Sequence, residues 1–216
     1  MFYKDSQNVY RVRPLEAFAW LVHGFGTRWS KSFGSCGNLA TLHQVHSATV
    51  VDAAGRSGCL GEGDALMESR PGLLVAVKTA DCIPILIMDS RQRAVAAVHA
   101  GWRGTAQRIA ARAVEEMTKK FASSSGDLHA AIGPGIGKCC YQVGPEVARQ
   151  LDPNAPQNGP AYVDLATLNQ RHLEACGIPP GQIYTAGLCT RCNEEFHSYR
   201  RDKQAAGRML SVVGIR

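Results

Sequence analysis

No apolar run in this chain approaches the ~18 residues that a membrane-spanning helix needs, so no transmembrane helix is expected. Met1 to Arg13 is polar and charged, and no leader-like apolar stretch follows, so no secretory signal is expected either. Charged residues are only 19% of the 216, and nowhere do they form a dense Lys/Arg run. A nucleic-acid surface is therefore a poor fit, although the formal net charge is +6. That balance suits a small anionic or nucleotide-like ligand better. The seven histidines include no H-x-H pair, which removes the imidazole density that a multicopper cluster requires. There is no internal repeat, linker or low-complexity tract.

What is present reads as one globular domain over residues 1–216. Hydrophobic residues make up 45% of the chain, enough for a substantial core. Eight cysteines do not imply a disulfide framework in a chain of this length. They are expected to be reduced thiols in the cytoplasm. Strands are expected at 19–25, 49–52, 73–77, 83–88, 94–98, 128–132, 183–186 and 211–215. Most of these runs lack strict alternation, so the sheets should be covered on both faces. Pro84 should lie at a strand's start or edge. Residues 28–37, 55–63 and 152–160 read as loops.

Thr105 to Phe121 reads as one helix, with an apolar stripe of Ala106, Ile109, Ala110, Ala113, Met117 and Phe121. Glu115–Lys119 and Glu116–Lys120 have the spacing of i,i+4 pairs. Pro145 opens a short helix to Leu151. Asp164 caps another that runs to Ala175 and stops before Gly177 and Pro179. The mixture of strands and helices, without regular βαβ alternation, indicates an α/β or α+β domain.

Chemistry concentrates in Thr79-Ala80-Asp81-Cys82-Ile83-Pro84 and in His99-Ala100-Gly101-Trp102-Arg103-Gly104-Thr105. Together with His46, the residues Cys82 and His99 make a three-ligand set of the kind that leaves a catalytic zinc one open position. His43 and His46 both fall near a strand-like segment, where odd spacing puts them on opposite faces and one toward the site. Cys82 with His99 also fits a cysteine nucleophile activated by an imidazole. Arg103, with the amides of Gly104 and Thr105 at a helix start, offers an anion site. Asp81 reads equally as a ligand-orienting carboxylate or as a turn residue. Cys189-Thr190-Arg191-Cys192 is a lone C-x-x-C. Its one candidate partner is Cys139-Cys140, and because adjacent cysteines rarely share a metal, Cys189 and Cys192 are expected to be neither ligands nor a disulfide. Cys36, Cys59 and Cys176 read as ordinary small residues. Phe196 to Asp202 mixes aromatic and basic groups that could frame a nucleobase and a phosphate, or bind RNA through the basic segment 191–208.

These pieces resemble the YfiH-like family, also called the laccase-domain or purine nucleoside phosphorylase family. The matching blocks are Gln44-Val45-His46, Gly63-Asp64-Ala65-Leu66, the Thr79 and His99 blocks above, Ile132-Gly133-Pro134-Gly135-Ile136 with Cys140-Tyr141-Gln142-Val143, and Phe196-His197-Ser198-Tyr199-Arg200-Arg201. They run in family order over nearly the whole chain. The resemblance implies a layered α/β/β/α fold with mixed sheets, and zinc held by His46, Cys82 and His99. It implies phosphorolysis of adenosine, inosine, guanosine and methylthioadenosine, with deamination of adenosine besides. Related proteins are described as peptidoglycan-precursor editors. Thr27-Arg28 matches a family pair whose arginine is placed in the pocket. The chain departs from the pattern between Asn38-Leu39 and Gln44, where only Ala40 to His43 replace a longer, helix-containing segment. The laccase label is set aside, because the imidazoles it requires are absent. Two rivals remain: a metal-free Cys82–His99 amidase acting on a cell-wall precursor, and a basic nucleic-acid-binding domain. Oligomeric state is not legible.

Overall fold

The structure, a computed structural model, describes residues 1–30, 33, 38–155 and 158–216. Part of the 28–37 loop, Cys36 included, and part of the 152–160 loop lie outside the described residues. The strands in the first half are β1 (Phe2–Lys4), β2 (Val9–Val12), β3 (Leu21–Gly26), β4 (Leu39–His43), β5 (Val50–Asp52), β6 (Gly58–Glu62), β7 (Ala65–Glu68), β8 (Leu74–Thr79), β9 (Ile83–Asp89) and β10 (Val95–Ala100). The remaining elements are α1 (Trp102–Ala106), α2 (Ile109–Phe121), β11 (Leu128–Ile132), β12 (Gln142–Val143), α3 (Pro145–Leu151), β13 (Ala161–Tyr162), α4 (Leu165–Ala175), β14 (Ile183–Thr185), α5 (Tyr199–Asp202) and β15 (Met209–Ile215).

Two mixed sheets stack face to face. One has the order β1-β2-β3-β15-β8-β4-β6 and the other β14-β11-β9-β10-β7-β5, while β12 and β13 form a separate pair. The core between the sheets joins Phe25, Val75, Val77 and Val213 to Leu66, Leu86, Met88 and Ala97. On its far face the second sheet sets Ile85, Ile87, Ala96 and Val98 against Ile109, Ala113 and Met117 of α2 and Leu173 of α4. Strands β9 and β10 are thus buried on both sides, which is why their sequences are continuous apolar runs. The mixed-sheet α/β class expected from the sequence is the class observed.

Several local expectations are corrected. The single helix from Thr105 starts earlier, at Trp102, and breaks at Gln107–Arg108, where Arg108 has a left-handed backbone with φ 60°. The expected i,i+4 pairs do not form: Lys119 bonds Glu116 at 2.7 Å, and Lys120 reaches across to Asp52 at 3.2 Å. Part of the 55–63 loop is strand β6. Pro84 is the second residue of β9, the strand-start position expected of a residue without an N–H.

Candidate metal centre and cavity

Strand registers bring the three candidate ligands together. In the β9–β10 hairpin His99 opposes Pro84, and Ala100 opposes Ile83. This places Cys82, in the turn before β9, next to the turn after β10. His99 N–H donates to the Asp64 carbonyl at 2.7 Å just before β7, whose first residue, Ala65, pairs with Val50 of β5. The loop that holds His46 lies at that same sheet end. The ligand atoms of His46, Cys82 and His99 all fall within 4.8 Å of one another. The imidazole rings of His46 and His99 meet edge to face at 4.9 Å, and Cys82 Sγ lies 4.0 Å from His46 Nε2.

Asp64 is the organiser of this geometry. It is 0% exposed. One carboxylate oxygen accepts the His46 N–H at 3.0 Å and faces His99 Nδ1 at 2.7 Å. The other accepts the Ser47 N–H at 2.6 Å, the Ser47 hydroxyl at 2.8 Å and the Val45 N–H at 3.3 Å. Gln44 anchors the same loop to β8: its side chain donates to the Lys78 carbonyl at 2.8 Å and accepts the Lys78 N–H at 2.7 Å. The Gln-Val-His block is therefore a loop and not the strand expected from sequence. β4 ends at His43, and His46 sits in the left-handed region with φ 60°. The opposite-faces argument fails accordingly, and both His43 and His46 line the cavity.

The electrostatics are those of a coupled triad. Burial pushes the Cys82 thiol up, but hydrogen bonds from His46 and His99 outweigh it and bring the thiol down to about 6. Burial disfavours charge on His99, but Asp64 and the Cys82 thiolate raise it to about 9. Burial also opposes ionisation of Asp64, and its bonds to His99 and Ser47 prevail, lowering it to about 2.

Two imidazoles and a thiolate form a donor set suited to zinc, with three protein ligands leaving a fourth position open. Two observations fit that set. The Nδ1 of His99 faces a buried carboxylate, the outer-shell contact that fixes a metal-binding imidazole's tautomer. Gly101 supplies the second, because a Cβ there would lie 3.0 Å from Cys82 Sγ and 3.1 Å from His46 Cδ2. Any side chain at 101 would press on two of the three ligands.

The centre lies at the wall of a cavity of about 620 Å³. Among the described residues, five cationic side chains line it: Lys78, Arg103, Arg200, Lys203 and Arg208. Aromatic walls come from Trp102, Tyr141 and Tyr199. Arg103 lies over the Trp102 ring at 4.4 Å, and Arg200 over Tyr141 at 5.4 Å. Among the described residues, the one carboxylate on the lining is already engaged. Asp81, strained at φ 85°, accepts from the Thr190 hydroxyl and the Arg200 N–H, both at 2.6 Å. Asp81 thus braces the Cys82 turn against the C-terminal segment, which is the turn reading of this residue.

Other sequence candidates are placed differently. Gly104 and Thr105 are buried and do not line the cavity. The Thr105 amide donates to Gly101 O at 2.8 Å and its hydroxyl accepts from Asn169, so neither group is open to an anion. Arg28 does not line the cavity either; its guanidinium pairs with Asp202 at 3.2 Å. Arg201 is committed internally, donating to the carbonyls of Thr190 and Phe196 and to Asp202. The basic segment therefore divides between internal bracing and the cavity instead of forming an outer stripe. Sequence reasoning gave no signal for Lys78; Tyr141 lay within a quoted block, and Lys203 and Arg208 only within the basic segment 191–208 without an individual role. The C-x-x-C does not stand alone in the fold, which brings Cys139 and Cys140 to Cys189 and Cys192 with all four sulfurs within 4.8 Å of one another.

Among the described residues no helix is long and apolar enough to cross a membrane. Residues 26–216 match the family model described as multi-copper polyphenol oxidoreductase laccase. The chain is 40% identical over 184 residues to a protein of Deinococcus radiodurans named purine nucleoside phosphorylase, covering 82% of this chain and 70% of that one. It is 35% identical over 196 residues to adenosine deaminase RL5, from an unknown prokaryotic organism, covering 82% and 74%. It superposes on the crystal structure of YlmD from Geobacillus stearothermophilus with a TM-score of 0.89 at 29% identity, covering 100% of this chain and 98% of the other. With the family model spanning most of its length and the same architecture throughout, this chain belongs to the laccase-like, YfiH/YlmD family.

Proposed function

We propose that the protein is a zinc-dependent purine nucleoside enzyme. It cleaves adenosine, inosine, guanosine and methylthioadenosine with phosphate and deaminates adenosine. The observation that carries this reading is the combination of three convergent N/N/S ligands with a cationic, aromatic-walled cavity of about 620 Å³. That volume suits a nucleoside together with a phosphate. The names of the Deinococcus and RL5 relatives support the substrate class.

His46, Cys82 and His99 would hold the zinc, and Asp64 would keep His99 in the tautomer that presents Nε2. A bound zinc supplies Lewis acidity and makes water acidic near neutral pH. The rest is done by the chain. Arg103, with Lys78, Lys203 and Arg208, neutralises phosphate and directs one of its oxygens at the sugar's anomeric carbon. That carbon–oxygen bond forms as the bond to the base nitrogen breaks, giving the free base and a sugar 1-phosphate. Tyr141, Tyr199 and Trp102 offer faces on which the base stacks. In deamination water replaces the purine amino group and ammonia leaves. Gly104, Thr105 and Arg28 act at one remove, by packing α1 and by pairing with Asp202.

The Asp64–His99–Cys82 chain also has the order of a nucleophile triad, which keeps an amidase as the rival. A triad has no use for His46, and His46 is held in a strained loop by a dedicated hydrogen bond. A product scan of the four nucleosides, run with and without phosphate and after chelation, tests the proposal. Chelation should abolish both reactions and zinc should restore them. Turnover that survives chelation, or release of an amino acid from a cell-wall precursor in place of any nucleoside reaction, overturns it.

A further inference from the structure

We propose that Cys139, Cys140, Cys189 and Cys192 hold a second zinc ion, in a closed four-thiolate site that clips two loops together behind the cavity wall. The four sulfurs all lie within 4.8 Å of one another. Cys139 Sγ is 3.7 Å from both Cys140 Sγ and Cys192 Sγ, and Cys140 Sγ is 3.3 Å from Cys192 Sγ. A tetrahedron with Zn–S bonds of about 2.3 Å has edges of about 3.8 Å. The three separations fall at or somewhat below that edge, so binding requires only small side-chain adjustments.

Three features beyond proximity point to a metal. The backbone N–H of Gly137 donates to Cys189 Sγ at 3.3 Å. An amide donating to sulfur stabilises a thiolate, the form that ligates. Gly137 packs against the cluster so closely that a Cβ would fall 3.3 Å from Cys139 Sγ and 3.2 Å from Cys189 Cβ. Lys138 and Arg191, next to the cysteines in sequence, offset the negative charge of four thiolates around a dication. Four protein ligands leave no open position, so the site is structural.

The loops it joins are already in register. Gly135 and Cys189 form a β-bridge, and the Thr190 N–H donates to Gly135 O at 3.0 Å. One loop leads directly into Tyr141. The other carries Thr190, which holds Asp81 beside Cys82. The clip therefore fixes a wall of the cavity without touching the ligand, and it stands whether or not the nucleoside reading does.

The test is zinc analysis of full-length protein purified under reducing conditions. Cys140→Ser/Cys192→Ser should lose one zinc per chain relative to wild type, whatever occupies the first centre. Cys82→Ala should keep the zinc of the four-thiolate site. Cobalt(II) added to metal-stripped Cys82→Ala, where the cluster is intact, should give strong thiolate-to-metal charge transfer and tetrahedral ligand-field bands. That arm decides the matter even if the double variant fails to fold. The proposal is overturned by unchanged zinc content in a folded Cys140→Ser/Cys192→Ser variant, by a featureless cobalt spectrum, or by an intact mass showing a disulfide among these cysteines under reducing conditions.

Discussion

Replacing Asp64 with Asn removes the charge at the centre of the ligand loop while preserving its volume. A carboxylate accepts on both oxygens, and both are engaged: one with His46 N–H and His99, the other with Val45 N–H, Ser47 N–H and the Ser47 hydroxyl. An amide accepts on one side only, so its NH₂ must face one of these donor sets. The serine hydroxyl can turn to accept, but the backbone N–H groups and the His99 proton cannot. Leaving a buried donor unsatisfied costs about 1–3 kcal/mol, and bonds to a charged acceptor are at the upper end. We therefore expect Asp64→Asn to destabilise the protein by about 3–5 kcal/mol. Loss of the outer-shell partner should lower zinc affinity by about 10- to 100-fold. Denaturant unfolding gives the first quantity and competition with a calibrated chelator the second. A variant with the wild-type midpoint and the wild-type zinc affinity would refute the assignment of Asp64 as organiser.

Other expectations follow from the same contacts. Gly101→Ala should weaken zinc binding while leaving the fold intact, because its Cβ would press on Cys82 and His46; chelator competition beside circular dichroism checks this. Arg103→Ala should raise the KM for phosphate by about 10-fold or more, a charge-assisted phosphate contact being worth about 1.5–3 kcal/mol. Deamination should fall less; equal losses in both reactions, with zinc intact, would make Arg103 a structural residue. His23 supplies a pH test away from the centre. It is buried and its Nε2 accepts the Val12 N–H at 2.9 Å. Burial first, and then nearby Arg11, lowers it from 6.5 to about 4. Between those values the unfolded chain binds a proton that the native state refuses, so stability falls as pH drops from about 6.5 toward 4, by up to about 3 kcal/mol. His23→Gln should flatten that limb of the unfolding-midpoint profile.

Legibility from sequence followed burial. The runs that became β8–β11 and the capped helices α3 and α4 were readable because both faces of the strands are covered and the helix starts carry Pro145 and Asp164. Strands β1, β2, β4, β6, β7, β12 and β13 were missed. β1, β2 and β6 lie at or near a sheet edge and are only partly buried, so ladder hydrogen bonds and not an apolar pattern hold them. β7 is buried throughout, but its four residues end on Glu68 and are too short a run to stand out. The break at Arg108 left no trace, since the apolar stripe continues across it. His46, Cys82 and His99 could be singled out in the sequence because each sits in a distinctive block at a strand or turn end, and the fold brings them within 4.8 Å of one another. The cationic lining was only partly legible: Arg103 and the basic segment were named, but Lys78 is an ordinary residue locally and joins them only through long-range pairing. The convergence of the four cysteines was not legible for the same reason: two short pairs about fifty residues apart meet only when Gly135 bridges to Cys189.

Zinc-loaded wild-type protein incubated with adenosine and inorganic phosphate puts the central claim to its most direct test. Products are followed by chromatography. The account predicts adenine from phosphorolysis, inosine and ammonia from the parallel deamination, hypoxanthine from phosphorolysis of that inosine, and ribose 1-phosphate equal to adenine plus hypoxanthine. Both reactions should disappear on chelation, return with zinc and be absent from Cys82→Ala. Full zinc occupancy with neither adenine nor inosine released would contradict it.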